Sequence, residues 1–254
     1  MSQLIAHPKT KDDLDAIVEA PRACYMLVGA RYSGKLASAL YVANKLHSSQ
    51  FNRLHIKPND KGTITIEMAH ELIDSLSKKA HQKDAVRVVI IESAERMTIP
   101  AQNALLKSIE EPPANTMFLL LLSNVQGVLS TIRSRCQVIY MRPVAGLPEL
   151  ARGRAGLAME LQDHPEQHDI QDAIISRAKE ILSARPFDRM LLVDKLSTDK
   201  DQSEIIEALA YLASKAARGQ NASSQALQSM QNYFIYSNAG VASKHALTEM
   251  MIRL

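Results

Sequence analysis

The chain has 254 residues, 46% hydrophobic and 22% charged, with a net charge of +3. This is the composition of an ordinary globular protein of one or two domains. The charge is too small to argue for a nucleic-acid partner, and two cysteines do not make a secreted disulfide framework. No run reaches the ~18 apolar residues of a membrane span, and the N-terminus lacks a signal-peptide pattern, so a cytoplasmic protein is expected. Trp is absent and aromatics are few, which leaves the cores to Leu, Ile, Val, Ala and Met.

Residues 1–20 read as a short entry and one helix, with Asp12 and Asp13 at its start, where the helix dipole favours acids. Leu14, Ile17 and Val18 give it an apolar face, Pro21 ends it, and His7 is expected to be solvated. A short apolar strand, 24–28, then runs into Gly29-Ala30-Arg31-Tyr32-Ser33-Gly34-Lys35-Leu36 and a helical pattern to Leu46. This is the phosphate-cradling pattern G-x-x-x-x-G-K, with Leu36 where a Ser or Thr should hold magnesium. The glycines permit a tight turn around phosphate oxygens, the helix start offers free N–H groups, and Lys35 offers a point charge.

A strand at 54–56 and a turn at Asn59-Asp60-Lys61-Gly62 lead to a helix over 66–80 with Met68, Leu72, Ile73 and Leu76 as its buried stripe. Lys78, Lys79, His81 and Lys83 follow as a basic cluster; it reads as solvated surface, with a DNA or neighbouring-subunit contact as the alternative. Residues 88–91, preceded by Val86 and interrupted only by Arg87, and residues 118–122 are apolar on both faces, as in a parallel sheet covered by helices. Residues 137–141 end a third such run. Between the first two, 98–111 has helix spacing and is stopped by Pro112-Pro113. The strand tips carry Glu92-Ser93 and Ser123-Asn124, where open α/β sheets bind ligands. A competent hydrolytic site wants Asp then Glu at the first tip. Glu92 is one methylene longer, and Ser93 is no base near neutral pH. Glu95 is expected on the following turn, solvated. Intrinsic hydrolysis is therefore not expected, while nucleotide binding stays open.

The run IIESAERMTIPAQNALLKSIEEPP, followed by STIRSRC, resembles the clamp-loader ATPases of the AAA+ class, most of all the delta-prime type of bacterial DNA polymerase III. The triplet Ser134-Arg135-Cys136 and the stretch 103–113 are highly specific there; the resemblance is strong over about 20–143. It implies an AAA+ P-loop α/β core over 1–143, a shortened helical lid over 144–186, and a helical collar holding an oligomer over 187–254. It implies a non-hydrolysing member of a hetero-oligomer that loads the sliding clamp onto primed DNA with ATPase subunits and a clamp-opening subunit. Arg135 would act in trans on a neighbour's ATP, with Ser134 and Cys136 at that interface. Gly29, Gly34 and Lys35 would form a degenerate phosphate loop, with ATP or ADP binding left open. The two cysteines cannot build the four-cysteine zinc module many relatives carry, so no zinc is expected. The alternative for Arg135 is a structural ion pair. Two other functions stay open: an active ATPase of DNA replication or repair, and a DNA-binding module that kept the fold.

Past Pro143, residues 152–161 look like the tail of the lid, 162–171 read as a polar loop, and 170–182 as a helix. After Pro186, four helical segments are expected: around Leu191–Leu196, then 205–217, 223–236 and 242–254. The closing Asn238-Ala239-Gly240 resembles the end of a collar domain, and Met230, Met250 and Met251 suit either core or interface.

Overall fold

The structure is a computed structural model that describes residues 4–77, 86–217, 232–233 and 243–253. Its first compact unit, residues 1–160, is built on one five-stranded sheet. The strands are β1 (Cys24–Val28), β2 (Arg53–Ile56), β3 (Arg87–Ile91), β4 (Thr116–Leu122) and β5 (Gln137–Tyr140), in the order β2-β3-β4-β1-β5. All neighbours are parallel. The central strands β1, β3 and β4 are buried on both faces, which is why they read as unbroken apolar runs. The edge strands β2 and β5 admit Arg53, His55 and Gln137.

Alternation along each strand divides the core in two. Cys24, Met26, Val89, Ile91, Phe118 and Leu120 face α3 (Ile66–Ser77), α4 (Ile99–Glu110) and α5 (Ser130–Arg133). Tyr25, Leu27, Val88, Ile90, Leu119 and Leu121 face α1 (Pro8–Glu19) and α2 (Lys35–Lys45). Leu105 on α4 is fully enclosed, so truncation to alanine there should cost ~2–5 kcal/mol.

Helix α1 starts earlier than its acids suggest. Pro8 takes the first turn, where its fixed φ suits a helix and its missing N–H is not needed. His7 is the N-cap, its Nδ1 accepting from the Lys9 amide at 3.2 Å, and is not merely solvated. Asp12 and Asp13 therefore lie beyond the first turn, and Asp13 instead pairs with Arg142 at 2.7 Å.

The second unit, residues 161–254, consists of helices joined by short turns, with no strand among its described residues. The chain enters it along α6 (Ala155–Asp163), and only 164–166 separate α6 from α7 (Gln167–Ser183). The segment read as a polar loop is thus mostly helical. Its polar residues lie largely outside, except that Gln171 is buried and its Nε2 donates to Glu204 at 3.1 Å. Pro186 opens α8 (Pro186–Ser197), followed by α9 (Gln202–Ala217) and α10 (Ser243–Arg253). Helix α7 packs on α9 and α8 on α10. Ile174, Ala178, Ile206 and Leu209 share one core with Met250 and Met251, so those two methionines are core fillers. The Lys78–Lys83 cluster, the 223–236 segment with Met230 apart from its helical residues 232–233, and Asn238-Ala239-Gly240 lie outside the described residues.

Candidate functional site

Strand β1 delivers the chain to the carboxyl edge of the sheet, where the Gly29 amide still bonds the Leu122 carbonyl of β4 at 3.0 Å. The loop 29–34 then turns into α2 through Gly34, whose φ of 88° lies in the left-handed region open to glycine. Lys35 folds back over the loop, its Nζ donating to the Gly29 and Ala30 carbonyls at 2.6 and 2.7 Å. The start of α6 rests on the same loop: the Gly156 and Leu157 amides donate to the Tyr32 carbonyl at 2.8 and 3.3 Å. A Cβ on Gly156 would sit 2.7 Å from that carbonyl oxygen and 2.9 Å from the Gly34 nitrogen, so only glycine allows this approach. Around the loop opens a cavity of about 720 Å³, lined by Tyr32, Lys35, Glu92, Glu95, Ser123 and Met159 among others. That is a size suited to a nucleotide-sized ligand.

The acidic strand tip is engaged from the side. Glu92 Oε1 lies 2.6 Å from His55 Nε2 on the neighbouring strand β2. This hydrogen bond, helped by the charges of His55, Lys57 and Lys35, holds the Glu92 carboxyl below its ordinary pKa against the opposing effect of burial. Ser93 turns the chain at φ 49°. Glu95 does sit on the following turn, Ala94–Arg96, but it is not solvated. It lines the cavity half-buried, Oε1 accepting from the Ser123 amide at 3.2 Å, while Oε2 is enclosed with no hydrogen-bond partner among the described residues. The reason is the short 3₁₀ turn Ala94–Arg96, which folds Glu95 back beneath β4. Asn124 caps the next turn through the Gln126 amide at 2.9 Å.

These residues fit a phosphate better than a magnesium ion. Lys35 and the glycine loop supply positive charge and close backbone approach. The metal-holding hydroxyl is absent: Leu36 packs against the apolar cluster under α2, and Glu92 is committed to His55.

Arg135 stands on the turn between α5 and β5. Ile132, fully buried, anchors the turn, and the Ser134 and Arg135 amides bond the Ser130 and Ile132 carbonyls at 2.9 and 3.0 Å. One guanidinium nitrogen donates to the Thr131 carbonyl at 2.8 Å; another pairs with Glu110 Oε1 at 2.8 Å. Both partners of the ion pair are about two-fifths exposed, at 41% and 39%. The approach to this turn is held from α4 by Gln102, which is 1% exposed. Its Nε2 donates to the Met97 and Gly127 carbonyls at 3.1 Å each, and its Oε1 accepts from the Leu129 amide at 2.8 Å.

Cys24 and Cys136 form a disulfide, with Cα atoms 4.7 Å apart. Sequence alone marks Cys24 as a strand residue and Cys136 as a motif residue and does not join them. The register explains the meeting: Tyr25 pairs with Gln137, so the residues just before them are lateral neighbours on adjacent parallel strands.

Residues 41–145 match the protein-family model described as DNA polymerase III, delta subunit. The chain is 31% identical over 219 residues to the DNA polymerase III subunit delta' of Yersinia pestis, covering 76% of this chain and 63% of that protein. It is 39% identical over 83 residues to the Escherichia coli subunit delta', covering 33% and 25%. It is 26% identical over 151 residues to replication factor C subunit 3 of Oryza sativa, covering 58% and 42%. The chain thus spans under two thirds of the length of these relatives. In fold it is similar to a solved Thermotoga maritima RuvB variant, with a TM-score of 0.51 at 13% identity over 98% of this chain and 86% of that one. With its phosphate loop, acidic strand tip and Ser134-Arg135-Cys136 turn on one parallel sheet, the chain is closely related to the delta-prime subunits of DNA polymerase III.

Proposed function

We propose that this chain is a non-hydrolysing, delta-prime-like subunit of a replicative clamp loader, working in the cytoplasm. It supplies Arg135 to the ATP site of a neighbouring ATPase subunit and supports loading of the sliding clamp onto primed DNA. The observation that carries the reading is the state of its own site: Leu36 where a hydroxyl should be, Ser93 where a base should be, and Glu92 tied to His55. Magnesium-dependent phosphoryl transfer needs all three positions for positioning and charge stabilisation.

Arg135 supports the second half. Its pair with Glu110 is solvent-exposed, and such pairs are worth only ~0–1 kcal/mol. Redirecting the guanidinium from a lone carboxylate to a polyphosphate is therefore cheap, and its planar fork suits phosphate oxygens. No helix among the described residues is long and apolar enough to cross a membrane. Residues 187–254 are offered as the oligomer-holding collar, with 144–186 as the shortened helical lid.

The test is an ATPase assay of the purified chain, alone and with cognate ATPase subunits, clamp and primed DNA. The reading expects no turnover alone and DNA-stimulated turnover in the mixture. Magnesium-dependent hydrolysis by the isolated chain would select the active-enzyme reading; tight DNA binding without partners would select the DNA-binding module.

A further inference from the structure

We propose that Cys24 and Cys136 are a reversible thiol–disulfide pair, oxidised by a low-molecular-weight disulfide, that clasps the Arg135 turn to the first residue of β1. The pair sits at a junction of two functional segments. Cys24 opens the strand that ends in the phosphate loop, and Cys136 directly follows Arg135. Strand β5 is an edge strand held to the sheet through β1 alone, and α5 is only four residues long. The arginine turn is thus fixed by Ile132 on one side and by the Cys136 bond on the other. Opening that bond leaves the β5 side of the turn held by its ladder to β1 and, further along the strand, by the buried Ile139.

The geometry suits reversible exchange. The partners' Cα separation of 4.7 Å lies within the usual disulfide range, and it is set by sheet pairing, so both redox states share one backbone. Cys24 is 1% exposed, whereas Cys136 is half-buried and packs at the margin of the same apolar cluster. Cys136 is therefore the entry point. Its thiolate attacks one sulfur of oxidised glutathione, breaking that S–S bond and releasing one glutathione thiolate, which takes up the Cys136 proton. The Cys24 thiolate then attacks Cys136 Sγ and expels the second glutathione thiolate, which takes up the Cys24 proton. Two protein thiols are oxidised, one glutathione disulfide is reduced to two thiols, and the sum balances. Disulfides in reducing compartments are typically transient or sensing, which is the role assigned here.

The proposal does not depend on Arg135 acting in trans, because its test uses the full chain alone. The protein is equilibrated in graded ratios of reduced to oxidised glutathione, free thiols are alkylated and counted by mass, and amide hydrogen exchange is recorded at both extremes. The expected result is joint, reversible loss of both thiols with no glutathione retained. On reduction, amides of the Arg135 turn and β5 should exchange at least ~10-fold faster, with those of β3 and β4 unchanged. Cys24→Ser should instead retain glutathione on Cys136, and Cys136→Ser should show the fast exchange at every ratio. Two thiols persisting in excess oxidised glutathione, or equal exchange at the turn in both states, would overturn the proposal.

Discussion

Gln102 offers a perturbation whose size follows from the contacts. Leucine has nearly the same volume, so Gln102→Leu removes polar atoms without opening a large cavity. It strands three backbone groups: the Met97 carbonyl, the Gly127 carbonyl and the Leu129 amide. Gly127 is at the surface and its carbonyl can turn to water, whereas the Met97 carbonyl and Leu129 amide lie deeper. Each buried unsatisfied group costs ~1–3 kcal/mol, partly offset by the added apolar contact, so the net loss is ~2–4 kcal/mol. For a unit of this size that lowers Tm by roughly 5–15 °C. The assay is urea and thermal unfolding, read on the α/β unit's own transition because two compact units need not unfold together. Gln126→Leu, at an exposed site on the same loop, is the control and should stay within ~0.5 kcal/mol. A Gln102→Leu loss no larger than the control's would refute the claim that this side chain holds the loop leading to α5.

His55→Ala should raise the Glu92 pKa toward its ordinary 4.5, read by carboxyl NMR titration. Because the folded-state value is depressed, the pair's stability is present above pH 4.5 and lost as pH falls through that lower value; the variant should lose less on acidification. Leu36→Thr alone should create no hydrolysis, since Ser93 still lacks a base, and Lys35→Ala should change the assembly's turnover less than ~2-fold. A chain ending at Glu160 should keep a cooperatively folding α/β unit yet fail to enter the assembly, by size-exclusion of the mixture. A cut at Arg185 should instead aggregate, because it exposes Ile174, Ala178 and Ile181 of α7.

Much of this was legible in the sequence because single-residue rules decide it. The doubly buried strands announce themselves as apolar runs, Thr98 caps α4 at the start of the spaced segment, and Pro112-Pro113 follows the helix's C-cap, Glu111. What stayed hidden depends on neighbours distant in sequence. His55 reaches Glu92 only because β2 and β3 pair in register. Glu95 is drawn into the cavity by a short turn whose polar text resembles a solvated one. Gly156 reads as an ordinary helix residue until the α6 start is laid on Tyr32. The cysteine pairing had a faint signal, since each stands at the entry of an expected strand, but strand order is needed to make those strands adjacent.

The central claim is that this chain contributes chemistry to a neighbour and none to itself. The most direct measurement is presteady-state ATP hydrolysis in a reconstituted complex carrying Arg135→Ala, with every other subunit's arginine intact. Trans-acting arginines are worth roughly 10³–10⁵ in rate at the site they serve, while unaffected sites dilute the observed loss. The account predicts a folded, fully incorporated variant that lacks one site's worth of the hydrolysis burst and loads the clamp poorly, with nucleotide affinity little changed and scant rescue by Arg135→Lys. Equal burst and equal clamp loading at equal assembly would contradict it and leave Arg135 as the surface partner of Glu110.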